Sequence, residues 1–93
     1  MVTVIVKFMS IVRQRAETGT IEFTSSSVHL RDVLREIVET YKLADIILDT
    51  DGEVRRWARV LVNGRSQQYV GGLNMVLHDS DRIALIYPYA ENF

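Results

Sequence analysis

The sequence contains no cysteine, which removes disulfides, thiolate metal ligands and a cysteine nucleophile together. That agrees with a reducing compartment. The N-terminus also shows no basic, apolar and small-residue leader pattern, so the expected location is the cytoplasm. Long apolar runs are missing too. The densest stretch, Ile83 to Tyr87, is strand-sized and far short of the ~20 residues of a bilayer-spanning helix, so no membrane segment is expected. Charge of one sign is equally scarce, since 11 basic and 12 acidic residues leave a net charge of -1. The basic residues fall in short groups, Arg13/Arg15 and Arg55/Arg56/Arg59, which argues against nucleic acid as a partner. The only histidines, His29 and His78, share no ligand spacing and stand beside no nucleophile motif. No metal, no cofactor and no catalytic residue is therefore expected, and the chain does not read as an enzyme.

What is present is an ordinary globular composition, 47% hydrophobic and 25% charged, over 93 residues. That is enough for one modest core and no second domain, so residues 1–93 read as a single domain with 88–93 as a C-terminal tail. Val2, Val4, Val6 and Phe8 alternate with Thr3, Ile5 and Lys7, a strand pattern, and Ile5 on the second face points to a central strand. Ser10 to Ala16 reads as one helical turn or an ordered loop, Thr18-Gly19-Thr20 as a turn, and Thr20 to Thr24 as the return strand.

After the Ser25-Ser26-Ser27 run, Leu30, Val33, Leu34, Ile37, Val38 and Tyr41 fall at helical spacing, with a serine expected as N-cap and Asp32 in or near the first turn. After Lys42 the chain passes through Ala44-Asp45-Ile46-Ile47-Leu48 into Asp49 to Glu53, a polar turn; it resembles the start of a calcium loop, but the remaining ligands are missing. Arg55 to Val62 reads as a strand, and Asn63-Gly64 as a type I′ hairpin turn that pairs it with Arg65 to Val70. Gly71-Gly72 opens a loop, Asp79-Ser80-Asp81 turns the chain, and Arg82 to Tyr87 is a final strand dense enough in apolar residues to be buried, ended by Pro88. The fold class is α+β, a mixed sheet of about five strands packed on one main helix.

Several strings then carry a resemblance. Val4-Ile5-Val6-Lys7-Phe8, His29-Leu30-Arg31-Asp32-Val33-Leu34, Arg59-Val60-Leu61-Val62-Asn63-Gly64-Arg65 and Asp79-Ser80-Asp81-Arg82-Ile83-Ala84-Leu85, followed by Tyr87-Pro88, stand in an order and spacing similar to the MoaD/ThiS-type sulfur carriers, ubiquitin-like proteins of β-grasp fold. The resemblance spans nearly the whole chain. It implies parallel pairing of the first and last strands and a protein partner, either an ATP-dependent activating-type enzyme or a larger synthase-like subunit. In that family a C-terminal diglycine is adenylated and converted to a thiocarboxylate, or is conjugated to lysine, in molybdenum/tungsten cofactor or thiamine biosynthesis and in protein modification. Here Glu91 and Asn92 stand where the resemblance places the two glycines. The expected role is therefore a non-catalytic binding or accessory subunit, with the carrier or modifier role as the alternative. Arg55, Trp57, Arg59, Tyr87, Tyr89 and Phe93 are the candidate partner-binding residues, because Trp, Tyr and Arg are favoured interface anchors. Exposed sheet edges leave a homodimer open.

Overall fold

In the computed structural model, which describes residues 1–87, the alternation at the start of the chain forms β1 (Val2–Ser10), with Val2, Val4, Val6 and Phe8 buried. The chain enters α1 (Ile11–Ala16) without a loop, which forces Ser10 to a positive φ of 57°. It returns as β2 (Thr20–Ser25), antiparallel to β1. Next come α2 (Leu30–Thr40), the short α3 (Ala44–Ile47), β3 (Arg59–Val62), β4 (Arg65–Ser66), the single-turn α4 (Gln67–Val70), a 3-10 turn at Gly72–Asn74 and β5 (Arg82–Tyr87).

The strand order is β2-β1-β5-β3-β4, with β1 and β5 side by side and parallel and the other pairs antiparallel. The parallel register pairs Val6 with Ile83 and Phe8 with Leu85, so residues of the two central strands share one buried face. The apolar stripe of α2 packs on that face: Leu30, Val33, Leu34, Ile37 and Val38 are all buried. Tyr41, just past the helix, sets its ring 5.0 Å from that of Phe8. The sheet is thus covered on one face by α2 and closed at its ends by the loops, a two-layer α+β arrangement.

Four expectations need correction. The residue before α2 is His29, and no serine caps the helix. Ser27 instead donates to Asp32 at 2.8 Å and Ser25 to Glu36 at 2.6 Å. The Leu30 amide donates to the Met75 carbonyl at 3.0 Å, so a distant loop satisfies a donor that a side-chain cap leaves to other partners. The strand expected from Arg55 starts only at Arg59, because Leu48 bridges Val54 and the Ala58 amide turns back to the Arg55 carbonyl. The pairing expected through Val70 stops at Ser66, where Gln67 begins α4. Ala44 to Ile47, read as a passage between elements, is helical.

The hairpin turn itself is as expected, with φ of 51° at Asn63 and 87° at Gly64. Gly71-Gly72 is a turn with φ of 138° and 72°, and a Cβ on Gly71 would sit 2.9 Å from that of Met75. The Asp49 carboxylate accepts the amides of Asp51 and Glu53, so it closes its own turn, and no cluster of metal-ligating side chains occurs among the described residues. No helix among them is long and apolar enough to cross a membrane.

Candidate functional site

Because strand side chains alternate, the face of the sheet away from α2 is built from the residues between the core positions. On β1 these are Thr3, Ile5, Lys7 and Met9, on β5 Arg82, Ala84 and Ile86, and on β3 Arg59 and Leu61. The registers put Lys7 and Leu61 on either side of Ala84, and Met9 and Arg59 on either side of Ile86. Ile5, Met9, Leu61, Ala84 and Ile86 therefore form an aliphatic patch across three adjacent strands. All five are half-buried. Lys7 stands between Ile5 and Met9, Arg82 pairs with Ile5, Arg59 with Ile86, and Glu22 of β2 lies on the other side of Ile5. A shallow concavity of about 420 Å³ runs over Ile5, Met9 and Ala84 between Lys7 and Arg82. No helix of the described residues lies over this face, whereas the opposite face is covered by α2.

Of the residues singled out from sequence, Arg55 and Arg59 come together as lining of one groove of about 460 Å³ beside the hairpin. Arg59 donates through Nη1 to the carbonyls of Arg56 at 3.1 Å and Ala58 at 3.0 Å, which holds its guanidinium over the end of the preceding turn. Trp57 projects from that turn, 45% exposed, with the Arg56 guanidinium 4.8 Å from its ring centroid. Tyr87 does not join them. It ends β5 on the α2 side, paired with Ser10 and packed against the core. Tyr89, Glu91, Asn92 and Phe93 lie outside the described residues.

A two-pronged ion pair lies elsewhere, between α1 and α3. Arg15 donates to both carboxylate oxygens of Asp45 at 2.7 and 2.8 Å, and this holds the Asp45 carboxyl below its ordinary value. The pair straps α1 to α3, and an open cavity of about 420 Å³ adjoins Arg15, lined also by Glu17, Thr40, Tyr41 and Lys42.

Sequence reasoning missed the aliphatic patch. Its signal was present, since β5 is apolar on both faces, but that density was read as burial within this chain. An apolar second face can equally be kept for another molecule.

No protein-family model and no curated protein matches the sequence. Solved structures do match. The HVO 2177 protein of Haloferax volcanii superposes with a TM-score of 0.80 at 27% identity, over 98% of this chain and 87% of that one. Urm1 of Trypanosoma brucei gives 0.79 at 22%, over 97% and 95% of the two chains. The small archaeal modifier protein 1 of Methanosarcina acetivorans gives 0.78 at 24%, over 99% and 98%. With the parallel β1–β5 pair at the centre of the sheet and α2 across it, the chain has the ubiquitin-like β-grasp fold that these structures share.

Proposed function

We propose that the chain is a non-catalytic, protein-binding accessory subunit, a divergent relative of the ubiquitin-like sulfur carriers and modifiers. The observation that carries this reading is the half-buried aliphatic patch of Ile5, Met9, Leu61, Ala84 and Ile86, over which no helix of the described residues lies, on a sheet whose other face is packed against α2. Apolar side chains grouped on one face among charged ones of both signs match the composition of a protein interface. Glu91 and Asn92, where the resemblance places the two glycines, support binding over activation, because threading a tail into an adenylating site needs backbone without Cβ atoms. The test is incubation with ATP and a ubiquitin-activating-type enzyme, read by intact mass. We expect no adenylate and no thiocarboxylate. Activation of the natural chain would overturn the proposal.

The second reading is the carrier or modifier itself, and the likeness to small archaeal modifier protein 1 and to Urm1 favours it. It predicts a sulfur-bearing terminus or an isopeptide adduct on the protein isolated from its own cells. An unmodified mass in that sample, with a stoichiometric partner that Ile86→Asp releases, supports the binding role instead.

A further inference from the structure

Three arginines, Arg55, Arg56 and Arg59, line the groove beside the hairpin, and among the described residues lining it there is no carboxylate. The nearby acids are engaged elsewhere: Glu53 with Arg31 at 3.1 Å, Asp45 with Arg15, and Asp49 with its own turn. On a chain of net charge -1 this is a local concentration of positive charge, and Asp45, which feels the charge of Arg55, is itself held by Arg15. One of its donors is also unused. The Arg55 Nε is buried without a hydrogen-bond partner, an unsatisfied donor that an acceptor in the groove would relieve once the side chain turns to meet it.

We infer that this groove binds an acidic, extended segment of a partner protein, with glutamate or aspartate carboxylates on the arginines. The fork of a guanidinium matches a carboxylate through two parallel N–H donors, and Nε is one of the donors used when the carboxylate approaches side-on. Charge alone leaves an inorganic anion equally eligible, but the rest of the lining favours a peptide. Ser66, Gln67 and Gln68 present both donors and acceptors, which suits a peptide backbone that itself carries both in alternation, whereas phosphate calls mainly for donors. Tyr69 in the lining is 79% exposed, and Trp57 stands exposed on the adjoining turn, so aromatic and arginine side chains lie together as they do at protein interfaces. The groove is open and, at about 460 Å³, has room for several residues of a peptide.

The choice of a protein as occupant rests on the binding role proposed above, but the groove and the aliphatic patch are tested separately. The full chain, labelled with nitrogen-15, is titrated with a short peptide alternating glutamate and serine, with the same peptide carrying glutamine for glutamate, and with inorganic phosphate. The expected result is movement of the Arg55 Nε–H and the Gln67 and Gln68 side-chain amide signals with the glutamate peptide alone. Arg55→Gln and Arg56→Gln should each weaken that binding about tenfold or more. Arg56 is exposed, so its variant keeps the test open whatever Arg55→Gln does to folding. Equal movement with the glutamine peptide, movement confined to Lys7 and Arg82, or equally tight binding of phosphate at the same signals would each overturn the inference. Loss of the cellular partner on Ile86→Asp together with a silent groove would leave the binding role standing and remove only this inference. Saturable peptide binding in a chain that the activating enzyme also adenylates would do the reverse, leaving the groove and removing the accessory role.

Discussion

The two faces of this sheet carry similar side chains to different ends. Along β5, Ile83 and Leu85 point toward α2 and are buried, while Ala84 and Ile86 point away and remain half-exposed. Along β3, Val60 is buried and its neighbour Leu61 is not. Hydrophobicity therefore does not by itself say which residues hold the fold and which are available to a partner. What separates them is whether the same chain supplies a covering layer, and α2 can cover only one face.

The sharpest way to test that division is a pair of neighbouring truncations. Leu85→Ala removes a fully buried side chain that pairs in register with Phe8 on one side and Val60 on the other, so it should lower unfolding stability by about 2–5 kcal/mol. Ile86→Ala, one residue on, should cost about 1 kcal/mol or less, because its side chain gives up only part of its burial. Urea unfolding of the two variants reads the difference. Equal losses would mean that the outer face is as much a part of the core as the inner one, and the interface reading of the patch would lose its basis.

The division also explains which parts of the structure were legible in the sequence. β1 and α2 were readable because each presents a single strong period, two residues for Val2-Val4-Val6-Phe8 and about 3.6 for the stripe from Leu30 to Val38. Asn63-Gly64 was readable because a two-residue turn with both φ values positive selects those residue types. Arg55 to Ala58 alternates as a strand would, yet the Arg55 amide donates to the Ile47 carbonyl, a contact that no local pattern encodes. Gln67 and Gln68 are good helix formers that follow a strand of two residues, and the short α4 prevailed over continued pairing. The groove that contains Arg55 and Arg59 depends on both departures, which is why the arginines could be named from sequence while their setting could not.

A smaller effect belongs where the covering layer is closed. Met75 supplies the carbonyl that receives the first amide of α2, and Gly71 leaves room for its side chain. Gly71→Ala introduces a Cβ 2.9 Å from that of Met75 at a φ of 138°, so it should destabilise the protein by about 1–3 kcal/mol. Gly72→Ala meets no neighbouring atom within 4 Å and should cost less, from its φ alone. Thermal unfolding of both variants gives the order. If Gly72→Ala proved the more damaging, steric closure against Met75 would not be what fixes this turn.

The smallest effect is expected at the outer surface of the covered side, in the strap between α1 and α3. Asp45 is 64% exposed, so solvent screens its pair with Arg15, and Asp45→Asn should cost only a few tenths of a kcal/mol at neutral pH. The sign of its pH dependence follows from the direction of the shift. Hydrogen bonding to Arg15, the largest influence, lowers the Asp45 pKa in the folded state below its unfolded value. The stabilisation is therefore present above the unfolded value and is lost as the pH falls through the folded one. The gap between natural and Asp45→Asn proteins in thermal unfolding should be small at neutral pH and should close on acidification. A gap that widened in acid would mean that the carboxyl is stabilised in its protonated form, contrary to a bidentate pair with an arginine. A gap as large as that for Leu85→Ala would place a surface ion pair on a level with the core, and the contrast between covered and uncovered faces would then no longer account for where this fold keeps its stability.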